Sequence, residues 1–474
     1  MEVEGKATPT TFVGSQGAQT GEGNVQVNVF SGDRRPDATA LDAASLEALS
    51  PHTVLWRIQA MPYDDAVLVL ARATVSAAAN VLAVLLRADE RLAVSLLADI
   101  NRSKAEALIA ALPGDWPQSG WLARLPEAAE AIGSCAVEMK WAGTRDASRL
   151  ERTAVSPENT GGYRRSYRGD SVYWSQEFGP QPLTGEIAQY YEGKGGAGEL
   201  GFPRNPEWSG QSPYGTDGLS QAFESADIFS TEFGTYAVAI NILRVWANGD
   251  GAEVGFPAGE ETPILDGVDG RTMQRFEAGA IFSTKSGTFA VRSAVLEYLD
   301  ADALLRPGSL YYPVTDEKDA GVSPGGTVGK QQQFAGDSEY DQVIYASDKH
   351  GAHGVFGPIM DYHIRQGGTS SWLGFPTSEW DSLPSAEEFQ GQEFEGGTVF
   401  WGSRSTDETP FAVPAATMEL ISSDEAIRPI LGLPVSEDEP VGADGSSRIQ
   451  FFENGTVTVR DGRREIWLRP QRDT

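Results

Sequence analysis

Leu373-Gly374-Phe375-Pro376, and after it Gln392-Glu393-Phe394-Glu395-Gly396-Gly397-Thr398-Val399-Phe400-Trp401, decide how this chain is read. The tetrapeptide returns as Leu200-Gly201-Phe202-Pro203, Val254-Gly255-Phe256-Pro257 and Leu431-Gly432-Leu433-Pro434, with a degenerate Leu310-Tyr311-Tyr312-Pro313 between them. The five prolines lie 54, 56, 63 and 58 residues apart. An aromatic follows each copy at a similar distance: Phe223, Phe276, Phe334, Phe394 and Phe452. A Gly pair or Asn-Gly between alternating apolar segments, as in Glu395-Gly396-Gly397-Thr398 and Glu453-Asn454-Gly455-Thr456, signals a β-hairpin, because such turns need positive φ. Self-similarity at this period predicts a repeat array over residues 161–470, each unit a short helix, the Gly-Phe-Pro turn, an acidic loop and a hairpin. A half copy, Tyr163 to Trp174, precedes the first full one.

These paired motifs resemble the LGFP repeat of actinobacterial proteins. The resemblance implies a closed, propeller-like ring of about five units, of a kind attached to secreted envelope enzymes and thought to bind cell-wall glycan. It assigns Gly201, Phe202, Pro203, Gly255, Phe256, Pro257, Gly374, Phe375, Pro376, Gly432 and Pro434 to the structural motif. The early half copy suggests closure by strand exchange, which hides sheet edges. The third unit departs from the pattern, with Tyr-Tyr for Gly-Phe and an insertion at Gly336–Asp341. Insertions in one repeat often carry an array's specific contacts.

Upstream the period changes. Residues 37–140 hold blocks such as Ala66–Leu70, Val81–Leu86, Leu92–Leu97 and Ala105–Ile109, preceded by Asp64-Asp65, Asn80, Asp89-Glu90 and Ser103. Polar and acidic residues favour helix N-termini, and Ser103 with Glu106 fits a capping box. Five or six short helices are expected. Their pattern resembles the short-helix superhelical domains at the cytosolic N-termini of some magnesium transporters. It also resembles adaptor regions of actinobacterial defence proteins that open on a strand like Asn24–Phe30; a plain bundle without a signalling role is the alternative. Residues 1–23 read as a disordered tail, 24–31 as a short strand and 141–160 as a linker. The expected fold class is thus multidomain α+β: a small all-α domain and then the repeat ring.

Of 474 residues 67 are acidic and 37 basic, a net charge of −30. Such a surface repels phosphate backbones and anionic lipid, so nucleic-acid partners are not expected. One cysteine, Cys135, excludes a disulfide framework or a multi-thiolate zinc site. No signal-like start and no apolar run long enough for a membrane span occur, which makes the cytoplasm the expected compartment.

Catalytic motifs are absent, and no enzyme, cofactor or metal is expected. Lys349-His350-Gly351-Ala352-His353-Gly354 is a close histidine pair, but it falls at a turn of the repeat. The acidic residues after each turn (Glu207, Glu260, Asp316, Glu317, Glu379 and Glu437) either cap helices, bind cations or solvate loops. Sugars stack apolar faces on aromatic rings while carboxylates accept their hydroxyls. That chemistry makes Tyr173, Trp174, Tyr345, Phe400, Trp401, Glu379 and His353 candidate ligand-binding residues. Packing between units is the competing role for the aromatics. Trp174 and Trp401 stand out because Ser230, Ser283, Ala346 and Val459 occupy their positions elsewhere.

The expected function is a non-enzymatic sensor or adaptor. Its ring would recognise a glycan or protein ligand, and its N-terminal strand and helical domain would bind a protein partner or self-associate, in defence or signalling. The alternatives are an envelope-associated glycan-binding protein and a scaffold that only oligomerises.

Overall fold

The computed structural model describes residues 18–19, 26–27, 45–141, 148–248, 252–264, 270–301, 312–335, 341–380, 389–402, 409–423, 427–441, 447–460 and 463–469. The chain forms two compact units, Met1–Pro182 and Leu183–Thr474. Helices fill the N-terminal region and many small antiparallel sheets follow. Among the described residues no helix is long and apolar enough to cross a membrane.

In the first unit, eight helical segments are described between Ser45 and Glu138, six of them nine residues or longer. Ser50, Thr74, Asp89 and Asn101 each accept a hydrogen bond from the backbone N–H three residues on, closing helix N-termini. Of the start residues read from the sequence, Asp89 is such a cap, and Asp64, Asp65 and Glu90 lie in the first turns of their helices. Asn80 lies inside the helix Val75–Ala88, and Ser103 sits one residue into the helix that Asn101 caps. The capping box is therefore corrected to a plain Asn cap. A Ser at N2 has no unpaired N–H ahead of it to accept from.

This unit also contains the first small sheet, Glu151–Arg152, Gly162–Tyr167, Asp170–Ser175 and Gly179–Leu183. Leu150, Tyr163, Tyr167, Val172 and Trp174 join the helical residues Leu82, Leu97, Leu125 and Ile132 in one buried cluster. Polar contacts pin the edges: Arg165 Nη2 lies 2.6 Å from Asp99 Oδ1, Ser95 donates to the Leu150 carbonyl, and the Tyr163 hydroxyl donates to the Trp121 carbonyl. Within the expected linker, Glu151 and Arg152 pair with Arg164 and Tyr163. Of the expected tail and strand, Ala18–Gln19 pairs antiparallel with Gln26–Val27; the remainder of residues 1–31 lies outside the described residues.

The second unit holds five more sheets, each built from consecutive antiparallel strands, and helices at Gly185–Gly193, Ile240–Ala247, Ser293–Ala301, Gly357–Gln366 and Ala415–Ser422. Counting from the sheet that opens at Glu151, the fourth spans Tyr312 to Phe356 and the fifth Phe389 to Pro414.

One junction recurs between them. The motif glycines Gly201, Gly255, Gly374 and Gly432 have φ of +78°, +82°, +73° and +76°, a region that side chains strain to enter. Each faces the glutamate that follows the hairpin aromatic: Glu224, Glu277, Glu395 and Glu453. Three of those carboxylates, of Glu224, Glu395 and Glu453, accept the next backbone N–H, from Phe202 at 2.6 Å, Phe375 at 3.2 Å and Leu433 at 3.2 Å. The motif prolines bridge to the aromatics, Pro376 to Phe394 and Pro434 to Phe452. A donor on the preceding helix's seventh residue satisfies the glycine carbonyl: Tyr191 to Gly201, Trp246 to Gly255 and His363 to Gly374.

A second device joins one sheet to the next. A buried glutamine stands two residues before each aromatic, at Gln221, Gln274, Gln332, Gln392 and Gln450. Gln274 Nε2 donates to Ala237 O and Gly259 O, Gln332 to Ala290 O and Thr315 O, Gln392 to Gly354 O and Ser378 O, and Gln450 to Ala412 O and Ser436 O. One acceptor lies on the preceding sheet and the other on the loop leading into its own. Each amide therefore closes a junction that would leave two carbonyls buried and unpaired.

Candidate functional site

Register across the sheets makes their side chains directly comparable. On the fourth sheet, Lys318, Gln331, Tyr345 and His353 form one cross-strand row. The row reads Trp208, Ser220, Phe229 and Tyr236 on the second sheet, and Thr262, Met273, Phe282 and Phe289 on the third. It reads Gly391, Phe400 and Phe411 on the fifth. Phenylalanine thus serves for packing where the fourth sheet has Tyr345.

Tyr345 is 2 % exposed, against the rings of His363 and Phe375. Its hydroxyl has no hydrogen-bond partner among the described residues. On the first sheet the equivalent Tyr173 hydroxyl accepts from Arg164 Nη1 at 3.2 Å. The register partner of Tyr345 is Gln331, which lines the same cleft. Burial pushes the Tyr345 phenol well above its ordinary pKa, so it remains a donor.

The cleft has a volume of about 410 Å³. Lys318, Gln331, Gln333, Val343 and Tyr345 line it from the sheet, with Thr315 and Gln332, and Ile364 and Gly367-Gly368 line it from the helix Gly357–Gln366 and its end. Gly367, at φ +109°, ends that helix in the left-handed conformation. Lys318 has no ion-pair partner among the described residues. The cleft lining therefore carries an ammonium, three amides, a threonine hydroxyl and a phenol in a mostly uncharged setting. That inventory suits a polar ligand bearing hydroxyl or amide groups.

Two carboxylate networks flank the row. Glu379 accepts from the Tyr298 hydroxyl at 2.9 Å and lies 2.8 Å from His353 Nδ1. Glu395 Oε1 takes His350 Nε2 at 3.0 Å and Lys349 Nζ at 3.2 Å, and accepts from Thr327. Although desolvation opposes it, hydrogen bonds from Ser323, Thr327, His350 and the Phe375 N–H hold Glu395 far below the usual carboxylate range. Sister loops use the same tyrosine–acid pairing, Tyr190 with Glu260 and Tyr362 with Glu437. The acidic residues after the turns thus join elements. Among the described residues no cluster could hold a metal.

The structure separates the residues singled out in the sequence. Tyr345, His353 and Glu379 gather at the fourth sheet. Tyr173, Trp174, Tyr345 and Phe400 are 2 %, 3 %, 2 % and 8 % exposed, so none offers a ring face to a sugar, and ring stacking is corrected to packing for all four. Trp401 is half-buried against the cluster around Tyr345 and Phe394. Exposed rings occur instead at Trp208, Tyr214, Phe233, Trp372 and Trp467. Lys318, Gln331 and Gln333 were missed; the available signal was their departure from the sibling rows.

Residues 152–198 and 310–371 match the LGFP repeat. The second match contains the fourth sheet and its cleft, and the first opens within the stretch expected as a linker. No curated protein matches the chain. Among solved structures, it is 10 % identical to the extracellular domain of a putative one-component system from B. thetaiotaomicron, with a TM-score of 0.13 over 68 % of this chain and 44 % of that one. It is also 10 % identical to the WD40 domain of SCAP from fission yeast, with a TM-score of 0.10 over 69 % of this chain and 53 % of that one. The chain thus spans about half the length of either structure, and neither superposition defines a shared fold.

Proposed function

We propose that this chain is a non-enzymatic recognition protein whose repeat array binds a glycan in the cleft of the fourth sheet. The observation that carries the reading is Tyr345: its hydroxyl is dispensable for packing in three sibling rows and has no hydrogen-bond partner among the described residues, and the residue lines a polar cleft. A hydroxyl in a cleft with no protein partner is left to bond a ligand oxygen. Saccharides supply such oxygens together with acetamido groups for the glutamines. Closure of the sheets into a ring is part of this proposal, as is a cytoplasmic sensor role in which the helical domain couples binding to a partner. An envelope-associated glycan binder is the second reading, supported by the LGFP repeats themselves. A saccharide array probed with the full chain tests recognition, and cell fractionation separates the two locations. Binding to no saccharide would remove both glycan readings and leave a protein ligand or a scaffold.

A further inference from the structure

His353 Nδ1 lies 2.8 Å from Glu379 Oε1, and its Nε2 lies 2.8 Å from the carbonyl oxygen of His350. Both neighbours are acceptors with no hydrogen to give. The two contacts are hydrogen bonds together only when both ring nitrogens carry protons, which makes the ring an imidazolium. We infer that protonated His353 is a pH-dependent latch between the fourth sheet and the loop entering the fifth, one that weakens when the ring loses a proton.

Comparison with the sister loop gives the same answer. Glu260 receives the Tyr190 hydroxyl at 2.9 Å and Lys194 Nζ at 2.9 Å, a tyrosine and a permanent cation. Glu379 receives the Tyr298 hydroxyl and, in place of the lysine, a histidine. Lysine stays charged across the physiological range and histidine does not. The hydrogen bond to Glu379 raises the His353 pKa from its ordinary value, prevailing over desolvation. The groups facing the ring are Glu379 with Tyr298 behind it, Tyr345 across the strand pair, and the turn at Lys349 and His350, whose side chains bond Glu395.

A neutral ring keeps one of its two contacts and loses its charge. Since Tyr345, which lines the cleft, is the register partner of His353, a weakened latch acts beside that cleft. This consequence for binding rests on the proposed function; the latch itself does not.

The test therefore uses the ligand-free full chain. Proton NMR of the histidine Cε1–H signals, with His353 assigned by its loss in His353→Asn, gives the titration midpoint. Calorimetric unfolding of the wild type and His353→Gln from about pH 6 to 8.5 gives the coupling to stability. The latch predicts a midpoint above 6.5, the ordinary value. It also predicts that the wild type loses Tm relative to the variant as pH rises. A midpoint at or below 6.5, or parallel Tm curves, overturns it. Should His353→Gln fail to fold, the NMR midpoint alone decides.

Discussion

A Cβ placed on Gly374 would lie 2.3 Å from Oε2 of Glu395. The motif glycine and the hairpin glutamate are therefore one device: the missing side chain lets the carboxylate reach the Phe375 N–H. At Gly374, φ of +73° adds a second reason for glycine. Substituting Gly374→Ala should cost roughly 1–3 kcal/mol for the backbone alone, and more as Glu395 is displaced. Chemical denaturation measures it; a change within about 0.5 kcal/mol, typical of a neutral surface site, would contradict the account.

The glutamine staples carry a separate prediction. Gln392→Leu keeps the volume but strands the carbonyls of Gly354 and Ser378, which the amide now holds at 2.8 and 3.0 Å. The loss should be roughly 2–4 kcal/mol, since two buried acceptors lose their donor. The same exchange at exposed Gln366, outside any junction, should be nearly silent.

His363 sets an acid limit. It is fully buried, donates to the Gly374 carbonyl at 3.0 Å, and desolvation lowers its pKa to about 4 from 6.5. The unfolded chain therefore binds the extra proton between those values, and stability falls as pH drops from about 6.5 towards 4. The loss reaches roughly 3 kcal/mol at most. Calorimetry over that window should show it in the wild type and not in His363→Gln. The His353 latch acts with the opposite sign and above 6.5, so the two effects separate on the pH axis.

How much of this was legible in the sequence depends on what each residue does. Motifs that fix backbone geometry were readable, because positive φ and tight turns restrict residue choice to Gly, Pro and Asn. The fourth sheet's departure was visible for the same reason, as a broken motif with an insertion. The role of the aromatics was not. Tyr173, Trp174 and Phe400 alternate along strands exactly as exposed rings would, and only the cover over each strand decides which face meets water. The glutamines at Gln274, Gln392 and Gln450 stood in the motif throughout. Nothing in a linear pattern says that an amide spans two backbone segments.

Because the first sheet packs into the helical core, its boundary is testable. A chain beginning at Pro157 keeps Tyr163, Tyr167 and Trp174 but loses the helices that bury them. It also loses Glu151–Arg152 from the sheet edge. It should aggregate, whereas a chain beginning at Leu183 should not. Light scattering distinguishes them, and equal behaviour would argue against the shared core.

The claim that the fourth-sheet cleft is the recognition site stands or falls on Tyr345. The decisive measurement is calorimetric titration of the saccharide selected on the array into the wild type, Tyr345→Phe and, as a control, Tyr173→Phe. Removing an unpartnered hydroxyl should leave the Tm of Tyr345→Phe unchanged or higher while binding weakens about tenfold, for a lost hydrogen bond of about 1.4 kcal/mol. Tyr173→Phe should bind as the wild type does. Undiminished affinity in Tyr345→Phe would place the ligand elsewhere and contradict the account.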